Sequence, residues 1–438
     1  MTVIRMPRSN EDREPAGPIR MPNPTPIPTR IRLTEPTESP WNDPARYWGS
    51  LASATVDLDT PFGVIAADAL ASNAHDMLRR ASGTPIRVAT KSVRVRGVIE
   101  SVLTLPGYAG VLAYTLPEAL WLADTIDDVV VGYPTVDRSA THRLATSPDL
   151  SSRVTLMVDS LDQLDFVDDV LVPRHRNTVR VCLELDASWR SGILGNLGVY
   201  RSPVHSVEDA RALAAAIVAR PGFTLVGVMA YEAQIAGVVN RPPGKPVRAR
   251  LIDYVQHRST AELRERRGAA VEAIRAITEL EFVNGGGTGS LERTAADEAV
   301  TEIAAGSGLF GPHLFDGYRH FQPAPATAFA LSVVRKPGPA MGTLLGGGWI
   351  ASGTPATDRM PRLEWPPNLR FVRREGAGEV QSPLTGSGAA SLSTGDRVWL
   401  RHTKAGELSE HVNEFAVVEN GVIVDVLPTY RGEGKAFL

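Results

Sequence analysis

Between about residues 60 and 305, short runs of branched apolar residues alternate with stretches where apolar positions recur every three or four residues. The short runs predict strands at 86–90, 110–114, 128–131, 154–158, 179–185, 224–230, 281–283 and 300–303. Amphipathic segments such as 116–123, 207–219 and 261–280 predict helices between them. Strict strand–helix alternation implies parallel pairing with right-handed crossovers. Eight such units over about 250 residues make a (β/α)8 barrel of the TIM type. The alternative is an open doubly wound sheet, which lacks its early G-x-G-x-x-G signature here. Ahead of the series, residues 61–66 read as a strand-like run that leads into a helical stretch through Leu70, Asn73 and Met77.

The pattern changes after about residue 325. Strand-like runs at 328–334, 343–345, 369–373, 397–400, 414–418 and 422–426 are separated by Gly and Pro turns. Asn420-Gly421 between the last two runs is a strong hairpin signal. Residues 1–40 carry no period and are rich in Pro, Arg, Thr and Glu. The expected organisation is a disordered extension at 1–40, a barrel at 41–325 and a β-rich C-terminal domain at 326–438. Trp41, Tyr47 and Trp48 mark where the chain is expected to begin docking.

Composition narrows the function. With 43% hydrophobic and 22% charged residues in 438, the chain can bury substantial cores. A net charge of −3 without a basic cluster gives no electrostatic case for nucleic acid or a membrane surface. No run approaches the roughly 18–20 apolar residues of a membrane span, and the N-terminus lacks the apolar core of a signal peptide. The single cysteine, Cys182, has no disulfide partner in the chain and lies in an apolar strand pattern. A cytoplasmic location is expected.

Four places could carry chemistry. Ile86-Arg87-Val88-Ala89-Thr90-Lys91 puts a lysine at the tip of the first barrel strand, where barrel enzymes place catalytic groups. Such a lysine is either a solvated strand end or the amine of a Schiff base. Asn284-Gly285-Gly286-Gly287-Thr288-Gly289-Ser290 follows a late strand, and its backbone N–H groups and hydroxyls suit a phosphate. Gly306-Ser307-Gly308, after the last strand, is the second side of that cradle. Arg201 follows a glycine-rich loop and can hold a carboxylate or a phenolate, while Tyr231-Glu232 stands at the next strand tip. In the tail, His402, Glu407, Glu410 and His411 form either a charged surface or a divalent-metal site.

Together these segments resemble the fold-type III pyridoxal-phosphate enzymes of the alanine-racemase-like barrel class, in the branch of D-threonine aldolase and D-serine dehydratase. The Arg87-to-Lys91 stretch is similar to that branch's R-P-H-x-K, with Val88 and Ala89 replacing the proline and histidine. Asp186 and Arg201 fall on its D-x-G-x-x-R segment with an insertion between them. Tyr231-Glu232 resembles Y-E-G-H, with Ala233 and Gln234 in the last two places. Gly286-Gly287-Thr288-Gly289-Ser290 matches G-G-T-G-[ST]. Thr301-Glu302-Ile303-Ala304-Ala305-Gly306-Ser307 matches T-E-L-x-x-G-[ST], with Tyr318 downstream.

The resemblance implies a pyridoxal 5'-phosphate enzyme whose Lys91 carries the Schiff base. It implies Arg87, Arg201, Tyr231, Gly286, Gly287, Thr288, Gly289, Gly306 and Ser307 around the cofactor, and Lys91, Arg201, Tyr231 and His402 as catalytic residues. It also implies a divalent metal on His402, although the branch's second ligand, a Cys or Asp two residues on, is here Lys404. Either His402 finds other ligands nearby, or the metal is lost and Lys404 supplies the charge. The expected activity is aldol cleavage or dehydration of a β-hydroxy D-amino acid by a homodimer with no nucleic-acid or membrane partner. A racemase of the same fold, a non-catalytic cofactor-binding protein and a phosphate-binding sugar barrel are the alternatives.

Overall fold

The structure is a computed structural model that describes residues 31–438 except 243, 355 and 405. Eight parallel strands close a barrel: Ile86–Ala89, Tyr108–Ala113, Val129–Val131, Val154–Val158, Val179–Glu184, Phe223–Ala230, Phe282–Gly285 and Glu302–Ala305. The last strand closes on the first through Ile303↔Ile86 and Ala305↔Val88. All eight coincide with runs predicted from the sequence. The period of two explains how they sort their side chains. Val130, Met157, Cys182 and Phe282 pack together in a cluster of their own, while neighbours such as Val129, Val131, Val181 and Leu183 join the main core.

The helix Val207–Ala219 starts at a capping box, with Ser206 and Asp209 satisfying each other's backbone N–H groups. The helix Pro246–Arg275 begins well before the predicted 261. Its first half exposes Val247, Leu251 and Tyr254, so no clean apolar stripe marks it in the sequence.

The C-terminal region contributes most of a nine-stranded sheet. Thr327–Gly338 pairs with Met341–Leu345 and Arg397–Arg401, and Glu414–Glu419 pairs with Val422–Pro428. Asn420 and Gly421 both take positive φ, 51° and 76°, as the predicted tight hairpin requires. Arg362–Trp365 and Gln381–Thr385 add strands that the sequence pattern did not mark. The sheet's centre is filled by Phe62–Ala66, from ahead of the barrel. That strand runs antiparallel to Thr327–Gly338 (Val64↔Ala328) and parallel to Glu414–Glu419 (Val64↔Ala416).

Of the N-terminal segment, residues 1–30 lie outside the described residues. Ile31 and Leu33 are buried, and the Ile31 N–H donates to Ser101 Oγ at 2.8 Å. The helix Pro44–Ala54 buries Tyr47, Trp48 and Leu51, and Trp48 packs against Trp399 of the C-terminal region with ring centroids 6.1 Å apart.

Candidate active site

The first barrel strand ends at Ala89, and Thr90–Ser92 makes one tight helical turn. Thr90 Oγ1 donates to the Leu112 carbonyl at 3.1 Å, which fixes the turn to the neighbouring strand. Lys91 is thereby aimed into a cavity of about 220 Å³ at the C-terminal mouth of the barrel. Its Nζ donates to Tyr133 Oη at 3.0 Å. Tyr133 stands just past the strand Val129–Val131. Arg201 bridges two aromatic walls, its guanidinium carbon 5.4 Å from the Tyr133 ring centroid and 5.3 Å from that of Tyr231. Lys91, Arg201 and Tyr231, far apart in the chain, therefore meet in one cavity.

The insertion before Arg201 folds as a hairpin, Trp189–Ser191 against Gly195–Leu197. Buried Asp186 anchors its base, accepting from Ser188 N at 2.9 Å and Ser188 Oγ at 2.7 Å and pairing with His205 Nδ1 at 3.0 Å. Arg266 braces the same base through the Asp186 and Ser188 carbonyls.

Across the cavity lie Gly286, Gly287 and Thr288 from the loop after Phe282–Gly285, and Gly306 and Ser307 after the last strand. Gly286 takes φ +75°, a conformation that favours glycine. Gly306 lies so close to the Ala89 carbonyl that any Cβ would collide with it. Thr288 Oγ1 accepts from the Gly308 N–H at 3.1 Å and lies 3.3 Å from Ser307 Oγ, which ties the two loops together.

The loop is held from behind by charge. Buried Glu232 accepts the Gly286 N–H at 2.8 Å and the Thr294 hydroxyl at 2.7 Å. Arg80 donates to the Thr288 carbonyl at 2.7 Å. Gly289, by contrast, does not line the cavity; it packs against the Ala236 carbonyl and the Tyr318 hydroxyl.

The electrostatics of the cavity are one-sided. Lys91, Arg201 and Lys404 line it, and among the described residues no Asp or Glu does. Burial pushes the Tyr133 phenol up, but the adjacent Lys91 ammonium and Arg201 outweigh it and leave it below the usual tyrosine value. Burial raises Tyr231 against the opposing pull of Arg201, with Tyr133 and Glu232 adding to the rise. Glu184, at the end of its barrel strand, is pushed up to about 7 by burial, with Arg201 opposing. Burial, then Arg359, lowers Lys404. A lysine amine, a polarised phenol and a loop of neutral donors can together bind a phosphorylated carbonyl compound and move protons beside it.

Residues 65–313, more than half of the chain, match the family described as alanine racemase, N-terminal domain. The chain belongs to this family. It is 28% identical over 266 residues to a 3-hydroxy-D-aspartate aldolase of Paracoccus denitrificans, a match covering 58% of this chain. The chain spans about three-fifths of that relative's length, 61%. Among solved structures it resembles the D-threonine aldolase of Filomicrobium marinum, with a TM-score of 0.70 at 21% identity over 86% of this chain and 96% of the other. The D-threo-3-hydroxyaspartate dehydratase of Delftia sp. HT23 gives 0.64 at 18% identity over 86% and 98%. At those identities the likeness establishes the fold.

Besides Gly289, two of the cofactor and catalytic residues singled out in the sequence lie away from the cavity of this alanine-racemase-like barrel. Arg87 is buried, with its guanidinium donating to Glu302 at 2.7 and 2.8 Å and to Asp128 at 2.8 and 2.9 Å. His402 is buried beside Phe310 and Thr327, and burial pushes its imidazole down to about 3. Its Nε2 finds no partner, but the donor set around it does not fit a divalent metal. Among the described residues no group of three or more His, Cys, Asp or Glu side chains gathers anywhere, and the residue two places on is a lysine. The other tail candidates disperse. His411 stacks on Trp349 at 4.7 Å, Glu410 pairs with Arg94 at 2.6 Å, and Glu407 accepts from Ser352 at 3.1 Å.

Sequence reasoning missed Tyr133 and the positioning role of Glu232. Tyr133 had one signal, its place just past a predicted strand tip. Glu232 was visible only as part of a motif, because its partner at Gly286 is 54 residues away.

Proposed function

We propose that this chain is a pyridoxal-phosphate-dependent lyase acting on a β-hydroxy D-amino acid, by aldol cleavage or dehydration. The observation that carries the reading is Lys91 Nζ sharing one cavity with the two glycine loops and with no carboxylate among the described residues. The residues fit the cofactor. Gly286, Gly287, Thr288, Gly306 and Ser307 would hold its phosphate through neutral donors, Lys91 would hold it covalently, and Tyr231 and Arg201 would wall its ring. Bound there, it supplies an electron sink for the pair released at the substrate α-carbon.

The chain's own groups do the rest. Lys91 Nζ and the Tyr133 phenol share a proton at 3.0 Å, so one of them can accept a proton from the substrate while the other restores it. Arg201 binds a carboxylate by charge-assisted hydrogen bonds at the mouth of the cavity. Glu184 lies close enough to Arg201 to feel its charge, and its raised pKa keeps it largely protonated at mildly acidic pH, so it does not neutralise the arginine there. No step is assigned to a metal, and none to Arg87 or His402. The D-threonine aldolase and 3-hydroxyaspartate relatives support the substrate class.

The decisive test is an absorption spectrum of purified protein with pyridoxal phosphate, before and after borohydride, with peptide mapping. A visible band lost on reduction, with the label on Lys91, is expected. A protein that stays colourless overturns the cofactor assignment. Chiral product analysis on D-threonine, D-serine and D-3-hydroxyaspartate then separates lyase from racemase, since only a lyase releases a new carbonyl product.

The same proposal includes a barrel and a β-rich unit as the two working parts, a homodimer and a cytoplasmic location. The exposed edge strand Val422–Pro428, with Val422, Val424 and Val426 outward, supports an assembly. No described helix is long and apolar enough to cross a membrane.

A further inference from the structure

We infer that Lys404 reads a second anionic group on the substrate, so that the preferred substrate is dicarboxylic, of the 3-hydroxyaspartate class. This deepens the proposed function and rests on it. Elsewhere in the chain buried cations have carboxylate partners: Arg80 with Glu292 at 2.6 Å, Arg267 with Asp297 at 2.6 Å, Arg401 with Asp316 at 3.0 Å. Lys91, Arg201 and Lys404 converge on one cavity, and among the described residues none of them has an ion pair. Lys91 and Lys404 are half-buried and Arg201 is exposed, so an anionic ligand entering the cavity meets all three without displacing a competing carboxylate.

The cofactor does not answer all of that charge. Its phosphate would face loops of backbone N–H and hydroxyl donors, and Lys91 would be engaged in covalent attachment or proton transfer. Arg201 and Lys404 would remain to meet the cofactor's ring oxygen and the substrate, and they come from different parts of the fold. Arg201 arrives on the loop after Val179–Glu184, and Lys404 just past Arg397–Arg401 of the C-terminal region. The turn carrying Lys404 packs directly on the turn carrying Lys91, for a Cβ added at Gly406 would lie 2.5 Å from the Lys91 carbonyl oxygen. A monocarboxylic amino acid bound on Arg201 would leave Lys404 without a counter-charge. A dicarboxylic one would supply it, with its α-carboxylate on Arg201 and its side-chain carboxylate on Lys404.

The test uses the full-length protein loaded with pyridoxal phosphate, as wild type, Lys404→Met and Lys404→Arg. KM and kcat are measured for D-3-hydroxyaspartate and D-threonine, and cofactor affinity for each variant. Wild type is expected to favour the dicarboxylate by about 100-fold or more in kcat/KM, mostly through KM. Lys404→Met should lower that ratio about 30-fold, and Lys404→Arg should restore most of it. Equal losses on both substrates, a wild-type preference for D-threonine, or weakened cofactor binding with the ratio unchanged would overturn the inference. If the protein binds no pyridoxal phosphate or turns over neither amino acid, the proposed function fails instead. Calorimetric binding of D-aspartate against D-alanine then decides Lys404 separately: a preference for D-aspartate lost in Lys404→Met supports it, and no such preference overturns it.

Discussion

Two sets of cations in this molecule share the sign of their charge and differ in what surrounds them. Arg87 sits within the barrel wall with Glu302 and Asp128 closed around its guanidinium. Lys91, Arg201 and Lys404 stand at the barrel mouth with no ion pair and no carboxylate lining their cavity among the described residues. The first arrangement satisfies itself and holds strands together; Glu302 comes from the strand on one side of Arg87, and Asp128 from just before Val129–Val131, two strands away on the other side. The second is incomplete until a ligand arrives. Charge type alone does not mark a functional site; a missing counter-charge does.

The largest test of this contrast is Lys91→Ala. Turnover should fall by about 10⁴-fold, and the borohydride-sensitive visible band should vanish while the fold, followed by circular dichroism, persists. Arg87→Met should behave in the opposite way. It leaves Glu302 and Asp128 facing each other without a counter-charge and should cost about 3–5 kcal/mol in denaturant unfolding, with cofactor affinity retained. If it weakened the cofactor and spared stability, the sequence-based assignment of Arg87 to the cofactor would stand.

Glu118 is the converse case, a buried carboxyl with hydrogen bonds but no ion pair. It accepts the Tyr114 N–H at 2.7 Å and the Tyr430 hydroxyl at 2.9 Å, and burial pushes it up to about 7. Its folded pKa lies above its unfolded one, so the stabilising protonated state is complete below about pH 4.5 and is lost as pH rises towards 7. The thermal midpoint should therefore fall across that window, by an amount equivalent to about 3 kcal/mol. Glu118→Gln should remove that contribution and leave the one from Glu184, which is raised to about 7 in the same way; an unchanged slope would move the titration elsewhere. The smallest effect belongs to Glu232→Ala. Losing the acceptor of the Gly286 N–H should weaken cofactor binding by about 1–3 kcal/mol, read by equilibrium titration, without altering the visible band of the bound form.

What was legible in the sequence divides along the same physical lines. The eight barrel strands stood out because a strand between a packed interior and a helical shell must place apolar residues at short, regular intervals. Gly286, Gly287 and Gly306 stood out because close backbone approach leaves few alternatives to glycine. Lys91 was found from its place at a strand tip. The partners of Arg87 and the burial of His402 were not legible, since each depends on residues brought together from distant parts of the chain. A histidine on an extended segment looks the same whether it faces a substrate or Phe310. The two-strand insertion before Arg201 was visible as extra length but not as a hairpin, because Gly195 and Gly198 disguise its period.

The strand Phe62–Ala66 has a consequence for how this molecule is made. It is synthesised before the barrel, whereas both of its neighbours, Thr327–Gly338 and Glu414–Glu419, follow the barrel. The whole barrel is therefore an insertion between two edges of a single seam, which cannot be sewn until Glu414–Glu419 is available. A fragment ending near residue 325 would carry a strand with neither neighbour, and a fragment starting there would have a gap in the middle of its sheet. The barrel can reach its shape early; the sheet that carries Lys404 to it completes only once Glu414–Glu419 and Val422–Pro428 have been made, so translation itself sets the order in which the two sides of the cavity come together.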